Sequence, residues 1–413
     1  VLETQTEPEP EPFSEERLWR ATGETRAGKL SGWSTLDELE VRFFPGELTL
    51  MGARTGHGKT TALVGLFLNF LKRAEKGELF VFYTAEEPEV RIYHRLLSAL
   101  TAEKAAGGDA WTRAAIRAWA SDRTAFREYP DLRLLEAARA RVRELEENAL
   151  VVYRPSWDVQ KVAAHALALK ERGARVGAVL VDYVQKVPAP AGLKADRRDI
   201  EVTAVARRLK NLAVELGAPV ISGAQVNRDN VPKDLAEGVR DAKDYREATA
   251  TIRKGRPELH NLREGGLEQE ADLVLGLLNY AADYSADAKD KRLPDVTLLE
   301  VGTLKTREGE PGRWAGLAFA GRYGLLRDIE PHEVDDLRPE KAPSRAEYFQ
   351  TRETGLNQRS AGLTEREKLR LQTKEHEAEA ARVRLETEKE KTRRKEMAAA
   401  EKASKKKPTE PEG

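Results

Sequence analysis

The sequence predicts an α/β domain with a mostly parallel central sheet, helices on both of its faces and a late β-hairpin. Three observations predict it. Within Gly46–Leu66, GELTLMGARTGHGKTTALVGL, a β-prone apolar run gives way to a glycine-punctuated turn, and the turn opens into a helix near Lys59. From about Lys29 to Glu330, apolar β-rich runs alternate with helical patterns, as strands joined by crossover helices do. The runs are apolar at nearly every position, which fits a sheet covered on both faces.

In chain order, residues 1–13 (VLETQTEPEPEPF) are acidic and Pro-rich, a composition that stays extended, and are expected to be a linker from an upstream region. Residues 14–28 hold a short helical pattern with Leu18 and Trp19 on one side; two turns are unstable alone, so this helix needs a docking surface. Strands are expected at Leu48–Gly52, Leu79–Thr84, Leu150–Tyr153, Ala178–Val181, Val220–Ala224 and Leu273–Leu278. Helices fall between them at Lys59–Glu75, Asp158–Arg172 and Thr203–Leu216, and Asp295–Thr303 with Trp314–Phe319 brackets a polar hairpin turn. One domain thus spans 29–330. Residues 331–361 are Pro-punctuated, and Leu363 to about Lys402 is charged and Ala-rich without a heptad, so 331–413 reads as an irregular, then helical or disordered, tail.

The 413 residues, 40% hydrophobic, suffice for a large core. Lys plus Arg and Asp plus Glu balance at 70 each, so any nucleic-acid surface must come from local clustering. The absence of Cys excludes disulfides, thiolate zinc sites and a cysteine nucleophile. No apolar run approaches the roughly 20 residues that span a bilayer, and no signal segment opens the chain, so a cytosolic setting without membrane attachment is expected.

Gly46–Leu66 has the order that triphosphate chemistry needs. Exposed N–H groups of Ala53, Arg54, Thr55, Gly56, His57, Gly58 and the first helical turn (Lys59, Thr60, Thr61) converge where the helix dipole favours negative charge. Lys59 neutralises the β and γ phosphates, and Thr60 binds Mg²⁺. The count back from Gly58 puts Ala53 where the usual pattern has Gly, so the motif is a variant of the ATP loop. Glu86, after the strand LFVFYT, is placed to deprotonate the attacking water, although an acid there can also cap the next helix, as Glu87 and Glu89 can. Asp182 ends the strand AVLV, where a carboxylate holds Mg²⁺, and Gln225 ends PVISGAQ, where an amide could sense the γ-phosphate.

These segments, ARTGHGKTT, YTAEEP, VLVDYVQKV, ISGAQVNR, NLREGGLEQEADLVL and LKTREGEPG, together resemble the C-terminal ATPase domain of DnaB-type replicative helicases, a RecA-like family. The resemblance implies that Lys59 and Thr60 bind phosphate and Mg²⁺, Glu86 is the general base, Asp182 the metal carboxylate and Gln225 the sensor. It also implies that Lys305 and Arg307 reach the γ-phosphate held by a neighbouring subunit; without it, both read as solvated charges on a β-turn. It assigns Arg263, Glu264 and Gly266 to the single-stranded DNA backbone, with the chain one residue shorter just after Gly266. Lys194, Arg197 and Arg198, and the run Arg253, Lys254, Arg256, are basic clusters that either face the same channel or are solvated loop charges.

The implied protein is an ATP-dependent, ring-forming (hexameric) DNA helicase moving 5′ to 3′, with Leu18 and Trp19 docking on the adjacent subunit. Primase or other replisome proteins are the expected partners, in a bacterial, phage or plasmid setting. Nothing matches the family's N-terminal collar, and Asp229–Arg253 is long for a connection. A recombination or branch-migration ATPase and a non-unwinding ATP-gated ring remain the alternatives.

Overall fold

The computed structural model describes residues 14–16, 28–105, 109–126, 128–190, 192–193, 197–227, 234–242, 245–262, 266–287 and 293–337. The expected linker at 1–13, Leu18 and Trp19, and most of the expected tail lie outside these residues. Among the described residues no helix is long and apolar enough to cross a membrane.

Nine strands form one sheet: β1 (Leu48–Ala53), β2 (Glu78–Thr84), β3 (Ala149–Tyr153), β4 (Arg175–Asp182), β5 (Val220–Gln225), β6 (Leu273–Asn279), β7 (Thr297–Lys305), β8 (Trp314–Ala320) and β9 (Leu325–Arg327). Their order is β3-β2-β4-β5-β1-β6-β7-β8-β9. The members from β3 to β6 pair in parallel, and β7, β8 and β9 continue the sheet antiparallel. Every strand expected from the sequence is present. The expected bounds stop one residue short at Val181, Ala224 and Leu278, because they follow apolarity and the next residue is polar, and at Gly52, because Ala53 is counted in the loop. Backbone pairing does not depend on side-chain polarity, and Thr84↔Asp182 and Ala53↔Gln225 continue the ladder.

The main helices are α1 (Lys59–Lys72), α2 (Glu89–Lys104), α3 (Arg113–Ser121), α4 (Leu132–Leu145), α5 (Val159–Glu171) and α6 (Arg198–Leu216). Strand alternation sends Phe80 and Phe82 into one core with Phe67 and Phe70 of α1, and Val81 and Tyr83 into a second with Val162 of α5 and Leu209 of α6. Phe70 stacks on Phe80 at 5.4 Å, and burying each such side chain stabilises by about 1.5–3 kcal/mol. α6 starts at Arg198, earlier than the expected Thr203, because Asp199 and Glu201 suit a first turn.

The long connection after β5 holds two helices, α7 (Leu235–Asp241) and α8 (Tyr245–Arg253). They join α9 (Tyr280–Asp287) and the β6–β7 end in a third core containing Val239, Ile252, Tyr280 and Tyr284. This insertion is therefore a packed element. At the far edge, Trp33 donates to the Leu326 carbonyl at 3.1 Å, and Asp328 accepts from the Ser34 and Thr35 amides, which fastens residues 28–44 to β9.

Candidate nucleotide-binding site

Parallel strands bring Ala53, Thr84, Asp182 and Gln225 to one end of the sheet. Ala53 is the last residue of β1 and keeps an ordinary strand backbone, so glycine is not required where the usual loop has it. The turn that does need glycine follows: Gly56 and Gly58 have φ of 84° and 85°, and Gly58 caps α1. The first-turn N–H groups of α1, at Lys59, Thr60 and Thr61, are free of intrahelical partners and face this end.

Under the loop, Thr60 Oγ1 donates to Asp182 Oδ2 at 2.8 Å. Asp182 is 0% exposed, and its Oδ1 has no hydrogen-bond partner among the described residues. Burial, together with Glu86, pushes its pKa up to about 6, against the opposing Thr60 hydrogen bond and Lys59 charge. A buried carboxylate oxygen without a donor, beside a threonine hydroxyl beneath a phosphate loop, fits Mg²⁺. Among the described residues no cluster of three or more His, Asp or Glu could hold a metal by itself, so the cation would need phosphate oxygens as well.

The Lys59 ammonium lies 4.6 Å from the Tyr183 ring centre. Burial lowers its pKa, while Asp182 and Glu86 act in the opposite direction. The two neighbouring glutamates separate here. Glu87 is bound on both oxygens by Arg95, at 2.8 and 2.6 Å, and although burial raises its pKa, Arg95 with Arg113 and Arg91 holds it below the usual value. The Glu86 carboxylate makes no hydrogen bond or salt bridge to a described residue, which leaves it available as a base. The Gln225 amide donates to Thr55 Oγ1 at 2.8 Å, so the candidate sensor touches the loop itself.

Two partners of this site, Asp283 and Gln185, are not among the site residues predicted from the sequence. Asp283 of α9 binds Arg54 through both oxygens, at 3.0 and 2.6 Å, and lies 3.4 Å from His57 Nε2. Burial raises the Asp283 pKa, but His57 and Arg54 outweigh it and hold the carboxyl low. The Arg54 and His57 side chains are thereby buried against α9, and what they offer a phosphate is backbone N–H. Gln185, past the end of β4, accepts from the Gln225 N–H at 3.1 Å. Asp272 belongs to the opposite end of the sheet.

There, β7 runs antiparallel and carries the hairpin cations away from the phosphate loop. Lys305 pairs with Val274, which stands level with Leu50. Its ammonium donates to the Glu268 and Ala271 carbonyls at 2.6 and 2.8 Å. Arg307 Nε is 2.9 Å from Asp272 Oδ1, while Asp272 Oδ2 accepts from the Leu48 N–H at 2.8 Å. The strand Leu48–Ala53, about 17 Å long at roughly 3.3 Å per residue, therefore separates Arg307 from its own loop.

Of the candidate DNA contacts, Lys194, Arg263 and Glu264 lie outside the described residues. Gly266 has φ of 103° and rests against Thr203 of α6. Arg197 pairs with Asp199, and Arg198 pairs with Glu201 while donating to the Gln185 carbonyl at 2.5 Å. Arg256 binds Glu300 through both oxygens and Arg253 lies 3.8 Å from it, so both are engaged with β7.

A phosphate loop at the end of a parallel sheet, with a buried carboxylate under its threonine and an unpaired glutamate beside its lysine, defines a phosphate-loop nucleotide-binding domain. The profile of the DnaB-like helicase C terminal domain matches residues 28–328, and the chain belongs to that family. It is 28% identical over 315 residues to the replicative DNA helicase DnaB of Pasteurella multocida, covering 75% of this chain and 57% of that protein. It is 29% identical over 308 residues to DnaB of Leifsonia xyli, covering 74% and 56%. The chain thus spans little more than half of these relatives. Among solved structures, the fold resembles a DnaB-like replicative helicase studied with primase, at TM-score 0.57 and 23% identity, over 78% of this chain and 68% of that one. It also resembles an ATPase domain solved on its own, at TM-score 0.57 and 22% identity, over 78% and 100%. The fold is RecA-like, as expected.

Proposed function

We propose that this chain is the ATP-hydrolysing motor of a ring-shaped, hexameric replicative DNA helicase that moves 5′ to 3′ along single-stranded DNA and unwinds the duplex ahead. The reading rests on one observation: the sheet carries the phosphate-loop turn at one end, and at the other two cations that cannot reach it. Such a molecule hydrolyses ATP efficiently only when a second copy presents its Lys305 and Arg307 to the first copy's loop, which favours a ring of identical subunits, a hexamer in this family.

In that ring the loop N–H groups and Lys59 hold the β and γ phosphates of ATP. Thr60 and Asp182 would hold Mg²⁺, which neutralises phosphate charge when bound. Glu86 accepts the proton of the attacking water, and Gln225, already touching Thr55, registers whether the γ-phosphate is in place. Arg307 of the adjoining copy stabilises charge that develops in the transition state. Arg263, Glu264 and Gly266, with Lys194, Arg197 and Arg198, are assigned to the DNA backbone, since phosphates carry no base identity. Residues 29–330 form the motor, and 14–28 the segment that docks on the next subunit. Primase or another replisome protein is the proposed partner, in a cytoplasmic setting.

The test is unwinding of a forked duplex with a 5′ single-stranded tail, with ATP and Mg²⁺. Strand separation that requires the 5′ tail supports the proposal. DNA-stimulated ATP turnover without strand separation would favour a recombination-type ATPase, and no response of turnover to DNA would favour an ATP-gated ring.

A further inference from the structure

We propose that Asp272 is a positioning residue for hydrolysis in the adjoining subunit, acting by holding Arg307 at the sheet end opposite its own phosphate loop. This rests on the reading that Arg307 acts across the subunit interface. Asp272 is 1% exposed, yet it is a carboxylate, a costly group to bury for the sake of a single backbone contact. One oxygen accepts from the Leu48 N–H and from Lys210 Nζ, each at 2.8 Å. The other has no aligned hydrogen bond and forms an ion pair with Arg307 Nε at 2.9 Å.

The two cations are not equivalent. Lys210 is also anchored on the Gly46 carbonyl at 2.7 Å, so it stays in place without Asp272. The Arg307 side chain is 63% exposed, and it forms an ion pair with Asp272, while Glu47 acts on it as a more distant charge. The contact uses the Nε edge, which leaves the forked end of the guanidinium for a phosphate. Lys305 rests on carbonyls of the same Glu268–Asp272 turn, so both cations of the hairpin are held by the segment that follows Gly266. A displaced Arg307 would spoil the neighbour's transition state while leaving ATP binding in its own subunit intact.

The experiment is ATP turnover by the full chain with single-stranded DNA, comparing Asp272→Asn with wild type. Asn keeps the size and an acceptor for Leu48 while removing the charge. We expect kcat to fall about 10- to 100-fold with KM within about twofold, the scale expected for a misplaced catalytic group. Mixed with Glu86→Gln subunits, Asp272→Asn should recover activity well above either parent, because some interfaces then join a sound base to a sound Arg307. Mixed with Arg307→Ala it should not recover. Lys210→Met should keep kcat within about threefold, since Arg307 retains its partner.

A wild-type kcat for Asp272→Asn would overturn the inference. So would an Asp272→Asn and Glu86→Gln mixture as inactive as its parents, provided that Arg307→Ala mixed with Glu86→Gln recovers. If that last mixture also stays inactive, the trans reading of Arg307 itself falls. Should Asp272→Asn show no cooperative melting transition, Asp272→Ser, a smaller side chain with an acceptor for Leu48, is read in the same mixtures with the same outcomes.

Discussion

The two ends of the parallel sheet answer different needs. At the carboxyl ends of the strands, Asp182, Glu86, Gln225 and Lys59 gather around one loop, and they are tied to that loop or left unpaired beside it. Toward the amino ends, Lys305 and Arg307 are held by carbonyls and a carboxylate of their own chain, and about 17 Å of β1 lies between Arg307's partner Asp272 and the loop of the same chain. On the proposed reading, this difference means that the direction of β7 divides the catalytic set between two copies. An antiparallel strand added beside β6 carries its last residues away from the loop of its own chain, to the end that the proposal gives to a neighbour.

Breaking the loop end should have the largest effect. Lys59→Ala removes the charge proposed to meet the phosphates, and turnover is expected to fall more than about 10³-fold with unwinding abolished, as measured by phosphate release and fork separation. Breaking the opposite end should separate binding from hydrolysis. Arg307→Ala is expected to lose about 10³-fold in kcat while nucleotide affinity, read by fluorescent-nucleotide titration, stays within about threefold. Equal loss of both would mean that Arg307 serves its own loop.

Glu86 and Glu87 sharpen the first end. Glu86→Ala should lower kcat about 10²-fold as the base is lost. Glu87→Ala should instead lower the melting temperature, because Arg95 loses its two-oxygen partner. If Asp182 holds Mg²⁺ as proposed, its pKa, raised to about 6, sets the pH dependence. A metal-bound carboxylate must be deprotonated, so apparent affinity for Mg²⁺-nucleotide should weaken as pH falls through about 6, approaching about tenfold per pH unit below it. Affinity independent of pH between 5 and 7 would remove Asp182 from the metal site. The smallest effect on turnover is expected from Asp283→Asn, which loosens the loop from behind: KM for ATP should rise about three- to tenfold with kcat nearly kept, while stability falls by about 3 kcal/mol because Arg54 stays buried without its charge partner.

Much of this was legible in the sequence where chemistry demands a residue type at a fixed spacing. The glycines, Lys59 and Thr60 form one continuous motif, and Asp182 and Gln225 announce themselves as polar ends of apolar strands. The hairpin was legible as two β-prone runs about a polar turn. Asp283 was not, because its importance comes from Arg54, 229 positions away, and a lone acid on a short helix looks like any solvated residue. Asp272 was hidden in the same way: an acid before an apolar run reads as a strand boundary until β1, α6 and the hairpin are seen to converge on it. The helices α7 and α8 were legible only as excess length, since their apolar faces are defined by packing on α9.

The most direct measurement is ATP turnover per subunit as a function of protein concentration, with saturating single-stranded DNA and the assembly state followed by mass in the same samples. Turnover per subunit should rise as rings assemble and fall toward zero when dilution returns the chain to single copies. Full turnover from single copies would contradict the division of the site between two subunits.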